Sequence, residues 1–341
     1  MSSNPFHASS VHCPGPLNLD RRGFMRFGLA GFSSLSLPGL LRLRADNPEA
    51  TKKPKAVILV WKPGGCSHID TYDPKPEAAA EYRGPFGTIA TKVPGMRFTE
   101  LLPRQAALAD KFTVLRSMHQ GAGGHPAGSM QMFSGDSDTR DKPKPRLPDW
   151  MSVVNHLRSQ QGTRSNPLPR YVGVNPPTTY NGPAYLGDAY APFAVTGDPS
   201  KPNFSVPNIG LSNTKEVERL DRRIALRKNL DNLQRAFDTY GELEALDQFE
   251  TQAMTLLTNP KTKEAFDLSR EDDATRDKYG RNSWGQQLLM ARRLVEAGVE
   301  VLTTSLRGPL CGRVNNWDDH AVNHHVLDAR RYRSEAYDQA V

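Results

Sequence analysis

Residues 56–61 read AVILVW, an uninterrupted apolar run that halts at Lys62-Pro63-Gly64-Gly65. A strand with one face in water alternates apolar and polar side chains. One that is apolar throughout has both faces covered, which is the condition of a parallel sheet layered between helices. Such a strand cannot stand alone, so further strands and crossover helices must follow. FTVLRSM (112–118), RYVGV (170–174) and VEVLTT (299–304) are the strand candidates. Helical periodicity appears between them over 99–109, 126–133 and 150–159. The alternation predicts an α/β fold with a mostly parallel sheet.

One local unit is especially legible. In NSWGQQLLMARRLVEAGVEVLTTSL (282–306), Ser283 is placed to cap a helix whose buried stripe is Leu288, Leu289, Ala291, Leu294 and Val295. Gly298 ends that helix and a strand follows at once. Two regions interrupt the pattern. Residues 175–212, rich in Pro, Gly, Asn and Tyr, read as a long ordered loop. Residues 214–258 read as one long or two consecutive charged amphipathic helices, so 214–270 is expected to form a helical insertion or cap.

The amino terminus, LDRRGFMRFGLAGFSSLSLPGLL, places Arg21-Arg22 before a short, weakly apolar stretch that ends near Arg42 and Arg44. This resembles a signal for the twin-arginine export machinery and is a poor membrane span, so an exported, periplasmic protein without a stable span is expected. The expected division is residues 1–45 as signal and 46–341 as one α/β domain. Charge agrees with that division. Of the formal +7, residues 1–45 carry +4, which leaves too little cationic excess on the body to predict nucleic-acid binding. Three cysteines without a CxxC pair do not define a redox compartment.

Three segments carry candidate chemistry. In PGGCSHIDTYD, Ser67 and His68 are sequence neighbours whose side chains diverge, a poor nucleophile–base pair. Cys66 reads as a nucleophile or a small buried residue. Asp70, with His68, reads better as a metal ligand at the end of the sheet. Near the carboxyl end, NNWDDHAVNHH holds Asp318, Asp319, His320, His324 and His325. On a helix, His320 and His324 stand at i and i+4 on one face, which is ligand spacing; helix-capping acids and surface histidines are the alternative. In SMHQGAGGHPAGSMQMFSG, a glycine-rich turn opens a helix of small residues at His125. It reads either as a backbone cradle for an anion or as a tightly packed turn.

The export signal, PGGCSHIDTYDPKP, HPAGSMQMFSG, YGRNSWGQQLLMARRLVEAGVEVL and NNWDDHAVNH, in this order, resemble an exported bacterial family of unknown function (domain of unknown function 1501). That family is placed in the alkaline phosphatase and sulfatase superfamily. The resemblance implies an α/β/α sandwich with a divalent metal, zinc, manganese or calcium, at the carboxyl end of the sheet. It also implies a hydroxyl or formylglycine nucleophile that attacks a phosphate or sulfate ester, such as that of a sulfated glycan. Asp70, and Asp318 with His320, then correspond to the metal ligands, while His68 and His324 are ligand candidates from their position and spacing alone.

The sequence departs from the superfamily pattern at several places. Lys62-Pro63 stand where the superfamily's first acid directly follows the strand. His125 stands where the nucleophile is expected, with Ser129 a turn further on. No C-x-P-x-R sequence supports formylglycine. The chain also stops at Val341 in RRYRSEAYDQAV, without a Gly or Pro stop, whereas the resemblance implies a further strand and ligands, so a truncated domain is expected. Two functions are therefore expected in turn: a metal-dependent ester hydrolase using His125 and Ser129, or a non-catalytic exported protein that binds an anionic glycan or a protein partner.

Overall fold

The computed structural model describes residues 56–162, 166–177, 180–206, 259–307 and 325–341, with Arg164, Ile209, Arg222, Leu256, Leu257, Leu310 and Trp317. Ala56–Val341 forms one compact unit. Its elements are β1 (Val57–Trp61), β2 (Thr88–Ala90), β3 (Arg97–Thr99), α1 (Pro103–Ala107), α2 (His125–Ser134), α3 (Trp150–Ser159), β4 (Tyr171–Val174), β5 (Phe193–Val195), α4 (Pro260–Phe266), α5 (Asp273–Tyr279), α6 (Ser283–Glu296), β6 (Val301–Ser305) and α7 (Val326–Ala340). None of these helices is long and apolar enough to cross a membrane.

Four strands form a parallel sheet in the order β1-β6-β4-β5, and β2 and β3 pair separately as an antiparallel hairpin. The register aligns Val57 with Val301 and Trp61 with Ser305, so β1 and β6 end together. β6, flanked on both sides, is buried at all five positions, and β4 at all four. Alternate residues of β6 serve the two covering layers. Val301 meets Met151 of α3, whereas Leu302 joins Leu289, Met290 and Leu294 of α6. The expected mostly parallel α/β sheet is present.

The burial expected for β1 is corrected. No residue of that strand is fully buried and Ile58 is 39% exposed, because β1 lies at an edge of the described sheet. The strand expected at 112–118 is also absent. There Phe112 packs against Phe98 of the hairpin with ring centroids 6.2 Å apart, and Arg116 donates to the Arg97 carbonyl at 3.1 Å. The apolar side chains of that segment find the hairpin rather than a sheet edge. Conversely, the expected loop 175–212 contains β5, held parallel to β4. Asn175 and Gly197 exchange side-chain and backbone hydrogen bonds at its end. Most of the expected helical insertion lies outside the described residues, and α4 forms its end.

Helix α6 is closed at both ends by local chemistry. Its cap is Asn282, one residue before the expected Ser283, and the Asn282 carboxamide oxygen accepts from Trp284 and Gly285 N–H, each at 3.1 Å. At the other end, Val299 N–H reaches the Leu294 carbonyl and Gly298 N–H that of Val295, with Gly298 at φ 98°. This is the paired C-terminal closure that glycine permits and that Val299 seals by joining the core beside Leu294. Helix α7 ties distant pieces together. The Asp338 carboxylate accepts from Arg104 and Gln105 N–H at 2.8 and 2.9 Å, and Gln339 donates to the Asp277 carbonyl at 2.8 Å.

Gly285 is where α6 meets the end of α5. A Cβ there would lie 2.1 Å from the Tyr279 carbonyl oxygen and 2.4 Å from that of Gly280, both backbone atoms that cannot swing away. Gly285→Ala is therefore expected to destabilise the domain by about 3 kcal/mol or more, since overpacking against backbone forces elements apart. A urea midpoint within error of wild type would refute this close approach.

Candidate functional site

Because β1 and β6 are parallel neighbours that end in register, the loops following both leave from one edge of the sheet. Carboxyl edges of parallel sheets are where open α/β folds place binding groups. The loop after β1 turns through Gly64 and Gly65, at φ 94° and 70°, values that favour glycine. It then folds onto itself. Ser67 Oγ accepts from Asp70 N–H at 3.3 Å, the Thr71 hydroxyl donates to the Ser67 carbonyl at 2.8 Å, and the His68 carbonyl accepts from Thr71 and Asp73 N–H.

This turn buries Asp70 while leaving the side chain of His68 exposed. The Asp70 carboxylate forms an ion pair with Arg330 of α7. Its other oxygen faces Gly84, where an added Cβ would stand 2.8 Å away, so a glycine is needed for that approach. The two loop residues expected as ligands are thus placed differently. Asp70 is inside and paired with a cation, and His68 is at the surface.

Beside this pair lies a second arrangement. Lys62, the first residue after β1, holds its ammonium 4.2 Å from the ring centre of Tyr337, 4.9 Å from Trp317 and 5.4 Å from Tyr72. Burial opposes its charge, but the Tyr337 and Cys66 side chains, acting through charge and hydrogen bonds, outweigh burial and hold the ammonium pKa above its ordinary value. Tyr72 donates to Gln105 Oε1, and its oxygen lies 2.6 Å from that of Tyr337. With the Tyr72 proton on Gln105, Tyr337 donates to Tyr72 and Lys62 donates to Tyr337, a one-directional chain. Burial, followed by Tyr337, raises the Tyr72 phenol well above its usual range, so it stays protonated. Trp284, Leu102 and Leu306 close the apolar side of this cluster.

The small-residue helix α2 reaches the same edge by packing Phe133 against Trp61, ring centroids 4.2 Å apart and planes tilted by 38°. Its amino end does bind an anion, one supplied by the chain itself. Asp141 Oδ1 accepts from Ala127 N–H at 3.1 Å, and an added Cβ at Gly124 would come within 2.5 Å of both carboxylate oxygens. His125 is exposed and Ser129 half-buried, one turn apart on α2. The loop after α2 is an ionic knot. Lys142 bridges Asp136 at 2.9 Å and Asp138 at 3.1 Å, and Arg140 binds Asp138 at 2.9 Å.

Asp318, His320 and His324 lie outside the described residues. Trp317, immediately before Asp318 in the sequence, is described, and its N–H donates to the Pro63 carbonyl at 2.8 Å. Among the described residues no three His, Cys, Asp or Glu side chains gather to hold a metal ion. The residues that sequence reasoning missed are Lys62, Tyr72, Tyr337 and Arg330. Lys62 had a signal, as a cation directly after an apolar run where an acid was expected. The other three carried none, since their roles depend on α7 returning to a loop some 265 positions earlier.

Fold and edge together define an α/β domain with a parallel sheet whose carboxyl edge gathers cationic and aromatic side chains with the buried carboxylates of Asp70 and Asp338. The family described as "Protein of unknown function (DUF1501)" matches residues 54–341, and the chain belongs to that family. No curated protein and no solved structure matches it.

The ionic knot after α2 yields a pH prediction. The side-chain hydrogen bond from Lys142 lowers the pKa of Asp136, and that from Arg140 lowers the pKa of Asp138. Groups whose folded pKa is depressed stabilise the fold above their ordinary range, about pH 4, and lose that contribution as pH falls through the lower folded values. Amide protection in 135–142 is therefore expected to persist through pH 4 and to fall below it. In an Asp136→Asn, Asp138→Asn double variant this acid dependence should vanish. An unchanged acid profile in that variant would refute the assignment.

Proposed function

We propose that this chain is an exported, metal-dependent hydrolase of phosphate or sulfate esters, working at the carboxyl edge of the parallel sheet. The observation that carries the reading is the hydrogen bond from Trp317 N–H to the Pro63 carbonyl. It ties the residue before Asp318 to the loop that carries Asp70, across some 250 positions of sequence. Two of the expected ligand segments therefore start from one place. The donor set of Asp70, Asp318, His320 and His324, carboxylates with imidazoles, suits a divalent ion such as zinc or manganese, and calcium with more oxygen ligands. Such an ion, when bound, neutralises ester oxyanions and stabilises the departing oxygen. His125 and Ser129 on α2, whose Phe133 rests on Trp61, are the proposed catalytic pair.

A second reading has its own observation. Arg330 already balances the charge of Asp70, the position a metal ion would take, which favours a non-catalytic protein that binds an anionic glycan. The two separate experimentally. Metal content of the purified protein is measured together with turnover of an aryl phosphate and an aryl sulfate. The hydrolase reading expects at least one bound divalent ion, turnover, and loss of both in Asp318→Ala. Absence of ion and turnover, with retained binding of a sulfated glycan, would replace it with the second reading.

A further inference from the structure

We infer that Lys62, with the indole N–H of Trp317 and the carboxamide of Gln105, forms a metal-independent seat for a sulfate- or phosphate-type oxyanion at the carboxyl edge of the sheet. The inference deepens the proposed reading of this edge by naming the side chains that recognise the anion, and it stands whether or not the ester is cleaved.

The cluster has more donors than acceptors. Lys62 offers three N–H groups and no acceptor, and indole offers only a donor. Among the described residues, the buried Trp317 Nε1 and Gln105 Nε2 have no hydrogen-bond partner, although the two residues are only 6% and 4% exposed. Unmatched buried donors cost free energy, so a site that keeps two of them beside an ammonium has room in its chemistry for an acceptor. The three groups belong to one neighbourhood. The Lys62 ammonium lies 4.9 Å from the Trp317 ring centre, and the Tyr337–Tyr72 hydroxyl chain carries on from it to Gln105.

The missing partner is an anion rather than a neutral acceptor, because three cations, Lys62, Arg330 and Arg333, stand near two buried acids, Asp70 and Asp338. Besides Lys62, Arg333 lies over the Trp317 ring at 5.3 Å, and Arg330 stands at Asp70. The acid nearest the far end of the chain, Asp338, is committed to the Arg104 and Gln105 amides. Three or four oxygens around one centre meet several separate donors at once, which a carboxylate or halide does less well. Access comes from the loop side, where Lys62, Cys66 and Ser67 are half-buried and Gly65 is exposed.

The test uses chelator-treated protein with inorganic sulfate and inorganic phosphate as probes and chloride as control. Binding is followed by calorimetry and by the indole N–H resonance of Trp317, identified by its loss in Trp317→Phe. Saturable binding that shifts this resonance is expected. Lys62→Met should weaken it tenfold or more, Lys62→Arg should retain it, and Trp317→Phe, which keeps a packed ring, should weaken it severalfold. If Lys62→Met does not fold, the Arg and Phe variants decide alone. Equal affinity in Trp317→Phe and wild type, no saturable binding to the chelator-treated protein, or binding only after a divalent ion is restored would each overturn the inference. Loss of turnover with this anion binding intact would count against the hydrolase reading and leave the seat standing.

Discussion

The contact between the Lys62 ammonium and the rings of Tyr72, Trp317 and Tyr337 is the interaction around which the carboxyl edge is organised. A charged amine at the end of a sheet strand would ordinarily reach for water. Here the faces of three rings, each with a negative quadrupole, and the oxygen of Tyr337 replace much of that hydration. The three rings come from three places in the chain: the loop after β1, the segment after β6, and the last turns of α7. One cation therefore joins segments that the Trp317–Pro63 hydrogen bond and the Arg330–Asp70 ion pair also bring together.

Helix α7 carries much of this coupling. Tyr337 and Asp338 are successive residues, yet one enters the Lys62 cluster and the other satisfies the two amide groups that open α1. One turn pair earlier, Arg330 closes on Asp70. The site is thus held through a helix late in the sequence that touches elements early in it. Burial of Asp338 raises its carboxyl pKa, while the amide hydrogen bonds from Gln105 and Arg104 favour the ionised form. Burial outweighs those bonds in the net shift, and the carboxylate serves to orient the backbone that opens α1.

Elements with a strong local signal were legible. Helix α3 spans the same residues that periodicity predicts, and α6 with its glycine closure and following strand appears as expected, since capping and amphipathic patterning act within a few residues. Where the reading failed, the decision was not local. FTVLRSM has the composition of a strand, but a strand exists only where an edge is available, and Phe112 and Arg116 instead pack along the β2–β3 hairpin. Phe193–Val195 lies in a loop-like stretch and becomes a strand because β4 offers its free edge. AVILVW, read as covered on both faces, is an edge strand of the described sheet and is only half-buried.

The sequence by itself determined the layered α/β character, the glycine turn after β1, and the presence of acids, imidazoles and cations able to serve an anionic ligand. Each of these rests on the chemistry of neighbouring residues. Only the tertiary structure decided which of them work together: that Asp70 answers Arg330, that Asp141 fills the amino end of α2, and that Lys62 stands among three rings. Pairing of charges and rings depends on distances between segments that lie from 14 to 265 residues apart, and those distances are set by loop paths, strand order and helix docking, which no local pattern encodes.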